Sequence, residues 1–330
     1  MYFIGVDIGG TKCAVTLAFI DRKDGGCEFL GKQRFATPKN GWQQAVTAIQ
    51  EAIQHLLDAD RILGHQIDAI GISCGGPLDS DRGIILSPPN LPGWDEVPIV
   101  NILSSAFSVP VFLQNDANAC ALAEWKFGAA KNTQNAVFMT FGTGLGAGLI
   151  LNGRLYEGAS RMAGEIGHIR LSQEGPVGYG KAGSFEGFCS GNGIAQIAKS
   201  MILEEIQQGK APEMCPTIDR IHEIDARLVA LAAEGGDPLA ISIYQKCGCY
   251  LGRGLAIIID ILNPEIIVIG SIFTRSRNLL WQKAQEQLIK EALPLSLSCC
   301  SIVPAALGEQ IGDYAAIAIA QQGLEDRKGL

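Results

Sequence analysis

Tyr2 to Ile8 is an almost unbroken apolar run, Cys13 to Ile20 is another, and Gly9-Gly10 lies between them. Short apolar runs bounded by glycine read as buried strands. Asp24-Gly25-Gly26 marks a further turn, and Glu28 to Phe35 a third strand. The period then changes. Trp42, Ala45, Val46, Ile49, Ile53, Leu56 and Leu57 recur at intervals of three and four, which predicts an amphipathic helix. Ile67 to Ser73 returns to strand. Cys74 to Pro98 is rich in Gly, Pro, Asp and Ser and predicts a long loop, of the kind that carries function inside a compact domain. A short strand at Val109 to Leu113 and a helix at Asp116 to Phe127 follow.

Near residue 135 the opening pattern returns. Ala136 to Phe141 reads as strand, Gly142-Thr143-Gly144 as turn and Ala147 to Leu151 as strand, which echoes Tyr2 to Ile20 and predicts two related half-domains. Residues 153 to 190 form a second irregular, glycine-rich stretch. Beyond it the spacing predicts helices at Ile194 to Gln207, Leu239 to Leu262, Arg275 to Ala292 and Asp313 to Gln322, with strands at Glu265 to Ile269 and Cys300 to Val303. Strands alternating with helices point to an α/β protein.

Composition narrows the classes. Hydrophobic residues make up 47% and charged residues 18% of 330, so the chain can bury a core and is not disordered; one very large domain or two ordinary ones would fit. The balance of 26 Lys+Arg against 34 Asp+Glu gives a net charge of −8, which argues against nucleic acid as the main partner. No apolar run approaches the ~20 residues that cross a bilayer. The densest, Leu255 to Leu262, is broken by Asp260, and no leader precedes Asp7. Ten cysteines are scattered without a C-x-x-C pair and read as reduced thiols, so a cytoplasmic protein without a membrane partner is expected.

Four short motifs carry candidate chemistry. Asp7-Ile8-Gly9-Gly10-Thr11-Lys12 joins two strands: its glycines let backbone approach phosphate oxygens, Thr11 adds a hydroxyl, Lys12 a charge, and Asp7 a place for Mg²⁺, directly or through water. A plain hairpin turn is the alternative. Gly142-Thr143-Gly144-Leu145-Gly146-Ala147-Gly148 leads into a strand and not a helix, which excludes the dinucleotide fingerprint and leaves a second phosphate hairpin or close strand packing. Gln114-Asn115-Asp116-Ala117-Asn118 lies at a strand-to-helix junction, where Asp116 is either an N-cap or a general base. Gly164-Glu165-Ile166-Gly167-His168 sets a histidine among glycines, with Glu186 in a second glycine-flanked position. The other histidines, His55 and His222 in helical surroundings and His65 in a loop, read as surface.

Taken in order, these pieces resemble the ROK family of sugar kinases and repressors. The resemblance runs through DIGGTK at 7–12, GISCGGPLD at 71–79, SPPNLPGW at 87–94, QNDANACALAEW at 114–125, FGTGLGAGLILNG at 141–153, AGEIGH at 163–168 and NPEIIVIG at 263–270. It implies an α/β fold of two ribonuclease-H-like domains of the actin-like ATPase kind flanking a cleft. The expected division is a smaller lobe of 1–115 plus 312–330 and a larger lobe of 116–311. It further implies phosphate contacts from Gly9, Gly10, Thr11, Lys12, Thr143 and Gly144, and an adenosine site near Gly270, where Ser271 replaces the second glycine of the family pattern. Gly75, Gly76, Asn90, Asn115, Asp116, Glu165, His168 and Glu186 match sugar-binding positions, and Asp116 matches the catalytic base.

One departure is large. The family pattern follows GExGH with closely spaced zinc-binding cysteines, and here Val177, Tyr179 and Ser184 stand at those places while Glu186 is kept. No zinc site is therefore expected, and Tyr179, Phe185 and Phe188 are the residues expected to anchor the loop by burial. The resemblance implies an ATP- and Mg²⁺-dependent kinase of a hexose or N-acetylhexosamine, and a homodimer. The rival is a non-catalytic sugar-binding or sugar-sensing member. The family's repressors carry a DNA-binding module ahead of the first phosphate loop, and with Asp7 at the seventh position of this sequence none is expected.

Overall fold

The two opening apolar runs become β1 (Tyr2–Ile8) and β2 (Lys12–Ile20) of a computed structural model that describes residues 1–23, 25–59 and 67–329. Asp24 of the expected turn and the loop histidine His65 lie outside the described residues. In chain order there follow β3 (Cys27–Ala36), α1 (Trp42–Ala59), β4 (Ala69–Cys74), the short ribbon β5 (Leu78–Asp79) and β6 (Ile84–Ile85), α2 (Ile99–Phe107), β7 (Val111–Asn115) and α3 (Asp116–Lys126). Next are β8 (Ala136–Phe141), β9 (Leu145–Leu151), β10 (Arg154–Tyr156), a hairpin of β11 (Val177–Gly178) and β12 (Lys181–Ala182), and the single turn α4 (Phe185–Phe188). The chain ends with α5 (Gly191–Gln207), α6 (Ala226–Glu234), α7 (Pro238–Leu262), β13 (Ile266–Ile269), α8 (Ile272–Glu291), α9 (Pro294–Ser298), β14 (Ser301–Pro304) and α10 (Ile311–Lys328).

Two five-stranded sheets repeat one plan. The first has the order β3-β2-β1-β4-β7, the second β10-β9-β8-β13-β14. In the first, β1–β2 and β2–β3 are antiparallel, whereas β1–β4 and β4–β7 are parallel. In the second, β9–β10 is antiparallel, and β8–β13 and β13–β14 are parallel. The parallel strands β4 and β13 are buried along their whole length, which is why they read as continuous apolar runs without alternation.

The chain divides into two compact units. One comprises Met1–Thr133, Gly148–Arg161 and the residues from Ala306 onward, the other Gln134–Ala147 and Met162–Ala305. The break expected after Asn115 does not coincide with this division, because α3 packs along α10 and stays with the first unit.

In the first unit α1 lays Ala45, Val46, Ile49, Ile53 and Leu56 into a core with Ile4, Val6, Val15, Ile70 and Ile72. Ile317, Ala320 and Leu324 of α10 join Phe3, Ala18 and Ala69 in a second cluster. Glycine sets that closeness: a Cβ on Gly71 would lie 2.1 Å from the Ala316 carbonyl oxygen, and one on Gly5 2.9 Å from Ala316 Cβ. The helix can therefore press its alanine face directly onto β1 and β4. In the second unit Gly248 and Gly252 do the same for α7 against α8, where added Cβ atoms would meet Leu280 and Ala284 carbonyl oxygens at 2.5 and 2.3 Å.

Among the described residues four helices, α2, α4, α6 and α9, have no counterpart among the expected elements. Helix α2 buries only Ile99 and Leu103, too short a stripe to register as a period, and the nine-residue α6 and five-residue α9 are similarly brief. The irregular stretch at 153–190 contains β10, the β11–β12 hairpin and α4, each too short for any period to show.

Candidate functional site

In the first unit, the β1–β2 turn is held from behind by β3. Gly9 N–H donates to the Lys12 carbonyl at 3.1 Å, Thr37 N–H to the Thr11 carbonyl at 3.0 Å, and Thr37 Oγ1 to the Gly9 carbonyl at 2.6 Å. Thr11 and Lys12 stay exposed. Gly10 has no room for a side chain, since a Cβ there would lie 2.3 Å from the Asn90 carbonyl oxygen. A Cβ on Gly75 would sit 3.5 Å from Asn90 Nδ2, whereas Gly76 is open. Gly10, Gly75 and Asn90 are thus brought together from three separate motifs.

Asp7 is the penultimate residue of β1, one residue before that turn. Burial, followed by the charges of Asp313 and Asp116, pushes its carboxyl from 3.8 up to about 6, with Lys32 and Lys12 acting against the rise. Asp313, in the first turn of α10, is buried, accepts from Thr16 Oγ1 at 2.9 Å and pairs with Lys32 Nζ. A Cβ on the neighbouring Gly312 would fall 2.8 Å from Asp7 Oδ2, so the N-terminal end of α10 directly abuts that carboxylate. Asp313 and Lys32 were not candidates from the sequence. The available signal was an acid opening the last helix and a lysine interrupting an otherwise half-apolar strand.

The junction between β7 and α3 resolves which of the two readings of Asp116, cap or not, the backbone supports. The N-cap of α3 is Asn115, whose side chain accepts from Asn118 N–H at 2.8 Å. Asp116 is therefore the first residue inside the helix. Its Oδ1 accepts from Ala117 N–H at 2.8 Å, and its carboxylate reaches solvent while protein surrounds most of it. That surrounding raises the carboxyl above the usual range, and the adjacent backbone N–H groups partly offset the rise. Behind it, Gln114 Oε1 accepts from Asn115 N–H at 2.9 Å and from Asn118 Nδ2 at 3.2 Å, and Gln114 Nε2 donates to Glu157 at 2.8 Å. Glu157 pairs with Arg161, which reaches Asp81 at 2.9 Å. This polar chain ties the Asp116 junction to the loop that follows Gly75-Gly76.

In the second unit the turn 142–146 is fastened at four points. Gly142 N–H donates to the Gly144 carbonyl at 3.0 Å, Gly191 N–H to the Gly142 carbonyl at 2.8 Å, and Gly146 N–H to Thr140 Oγ1 at 3.1 Å. The fourth fastening is Glu186: its Oε2 accepts from Leu145 N–H at 3.0 Å, and a Cβ on Gly144 would come within 2.8 Å of the same oxygen. Thr143 is exposed at the tip. Gly270 is buried, a Cβ there being 3.1 Å from Phe138, and Ser271 takes φ 58°, a backbone state that suits glycine.

Glu165 and His168 flank a short 3-10 turn and are both exposed. The His168 carbonyl accepts from Lys181 Nζ at 2.7 Å, and its ring lies edge-on to Tyr179 with centroids 6.4 Å apart. Tyr179 is the correction among the expected anchors. It is 84% exposed, at φ 44° in the hairpin turn with Gly180, so it buries nothing. Phe185 and Phe188 are buried as expected, at 0% and 1% exposure. Phe185 fills the space over Gly254 of α7, and Phe188 stacks on Tyr250 of the same helix at 3.4 Å. Among the described residues no three His, Cys, Asp or Glu side chains are grouped to hold a metal ion, and no helix is long and apolar enough to cross a membrane.

The repeated sheet plan and the paired glycine turns define the class: an α/β protein with the two-domain actin-like ATPase fold. The chain belongs to the ROK family, whose model matches residues 3–323. A glucokinase of Halalkalibacterium halodurans is 33% identical over 319 residues, covering 94% of this chain and 92% of its own length. The xylose repressor of Bacillus subtilis is 27% identical over 309 residues, covering 93% of this chain and 74% of its own. Among solved structures, a ROK hexokinase from Thermus thermophilus matches with TM-score 0.80 at 30% identity, over 99% of this chain and 100% of that one. A ROK family glucokinase from Streptomyces griseus, solved with glucose and AMPPNP, matches with TM-score 0.73 at 28% identity, over 98% of this chain and 100% of that one.

Proposed function

We propose that this chain is an ATP-dependent hexose kinase with Asp116 as its general base. The observation that carries the reading is the division of labour at the start of α3: Asn115 caps the helix, so Asp116 gives only Oδ1 to a first-turn N–H, that of Ala117, while the residue stays exposed and its carboxyl is raised in basicity. In this mechanism Asp116 accepts the proton of a sugar hydroxyl as its oxygen attacks the γ-phosphorus and ADP leaves. Such assistance is usually worth ~10²–10⁴ in rate.

Gly9, Gly10, Thr11 and Lys12 take phosphate oxygens, and Thr143 and Gly144 do the same from the second turn. Gly270 borders the adenosine. Positioning and charge neutralisation carry most of phosphoryl transfer, so these backbone cradles matter more than any covalent chemistry. Mg²⁺ brought by the nucleotide would be held at Asp7, whose carboxyl is raised by burial first and by the charges of Asp313 and Asp116 second, with Lys32 and Lys12 acting against the rise. Bound there, the cation supplies charge stabilisation for the phosphates.

Asn90, Asn115, Glu165, His168 and Glu186, with the Gly75-Gly76 backbone, take the hydroxyls of the sugar. Donors and acceptors matched to the hydroxyls of one sugar reject analogues that leave one of them unpaired. The glucokinase relatives and the glucose-bound Streptomyces griseus enzyme support a hexose, with N-acetylhexosamines in the same class. Likeness to the family adds a homodimer, which light scattering checks; the net charge of −8 argues against a nucleic-acid partner, and the scattered cysteines fit a cytoplasmic protein.

The likeness to the xylose repressor favours a second reading, a sugar-responsive protein without turnover. A coupled ATP-turnover assay over glucose, fructose, mannose, allose and N-acetylated hexosamines separates the two. Saturable ADP formation with at least one sugar supports the kinase; sugar binding without ADP formation supports the sensor.

A further inference from the structure

The family pattern places zinc-binding cysteines where this chain has Val177, Tyr179 and Ser184, and those residues do not fit a zinc ion. The segment that carries Glu186 is fastened by other means. On α5, Gln196 lies edge-on to the main chain of Val177: its Oε1 accepts from Val177 N–H at 2.9 Å and its Nε2 donates to the Val177 carbonyl at 2.9 Å. Only one orientation of the amide satisfies both groups, so the pair is directional. The next residue, Gly178, rests on α4. A Cβ there would come within 2.6 Å of Gly187 N and 2.8 Å of Glu186 Cβ. A Cβ on Gly187 would meet the Pro176 carbonyl oxygen at 2.2 Å, and one on Gly193 the Gly187 carbonyl oxygen at 2.1 Å. Hairpin, α4 and the first turn of α5 are thus in direct backbone contact. Glu186, at the centre of that contact, reaches Leu145 N–H of the glycine turn at 3.0 Å.

We infer that Gln196 is a positioning residue: its amide clamps the β11–β12 hairpin onto α4 and so aims Glu186, in place of the metal of the family pattern. The inference rests on the proposal that Glu186 takes a sugar hydroxyl. Gln196 touches neither substrate in this account; it acts through Val177, Gly178 and Glu186.

The test is sugar binding by calorimetry without ATP, alongside steady-state kinetics, for Gln196→Leu, Gln196→Glu and the control Ser200→Ala one turn further along α5. Losing two neutral hydrogen bonds predicts sugar affinity weaker by about tenfold in Gln196→Leu, with a clearly smaller rise in KM for ATP, since Glu186 also fastens the 142–146 turn, and the control unchanged. Gln196→Glu turns a carboxylate oxygen toward the Val177 carbonyl at neutral pH. Its affinity relative to native recovers as pH falls below about 4.3, where the protonated acid again offers one donor and one acceptor. Native sugar affinity in Gln196→Leu overturns the inference. So does an equal rise in KM for sugar and ATP, the mark of general loosening. If Gln196→Leu fails to fold, Gln196→Glu decides alone: its affinity relative to native recovers on acidification, or the inference falls. A native protein that binds sugar without turning it over defeats the kinase reading and leaves this test intact; one that binds no hexose defeats both.

Discussion

Asp7 is where the electrostatics of the first unit make a sharp prediction. Its carboxyl titrates near 6 in the folded chain against 3.8 ordinarily, so between those values the folded state holds a proton that the unfolded state has lost. Stability therefore falls as pH rises through that window and is lowest above it, by about 1–2 kcal/mol once solvent screening is allowed for. Asp7→Asn should melt higher than native at pH 7 and equally at pH 4, and should lose turnover at both. An unchanged melting point at pH 7 would show that Lys32 and Lys12 already neutralise the site. At the second turn, Thr143→Val should weaken ATP use and leave sugar binding without ATP nearly unchanged. A loss of sugar binding would break the two-turn assignment. Residues of this kind were legible because glycine turns and short polar motifs carry their own signal. Asp313 and Lys32 were not, since their role comes from the packing of α10 onto β1 and β2, almost 300 residues apart in sequence, and no local pattern records it.

At the scale of elements, the hairpin that lacks the family's cysteines shows what spacing can and cannot say. Three missing cysteines were plain from the order of residues, and the burial of Phe185 and Phe188 followed from their chemistry. Tyr179 went the other way because the two-residue turn it shares with Gly180 needs positive φ at both positions, which directs the chain outward into solvent. The amide clamp from Gln196 was invisible, as one glutamine on a helix face looks like any other. Phe188, stacked on Tyr250, should matter most for stability here: Phe188→Ala should cost about 3–5 kcal/mol in denaturant unfolding. A cost below about 1 kcal/mol would mean that the loop holds without its aromatic anchor. Protein purified without chelator should carry no stoichiometric zinc by elemental analysis, and activity in excess Mg²⁺ should survive a strong zinc chelator.

For the whole molecule, the recurrence of strand, glycine-threonine turn and strand at 2–20 and 136–151 was enough to read a duplicated plan. Both sheets repeat it as a meander extended by two parallel strands. The recurrence was legible because a tight glycine turn between buried strands is written in adjacent residues. The division between units was not, because it depends on which helix α3 packs against. The proposed mechanism turns on one proton transfer at Asp116, so the most direct measurement is turnover and sugar affinity of Asp116→Asn beside the native chain, on whichever hexose the native chain uses best. The account predicts a fall in kcat of about 10²–10⁴, with sugar binding and melting temperature close to native. Near-native kcat in Asp116→Asn would contradict it and reduce Asp116 to the first residue of a helix.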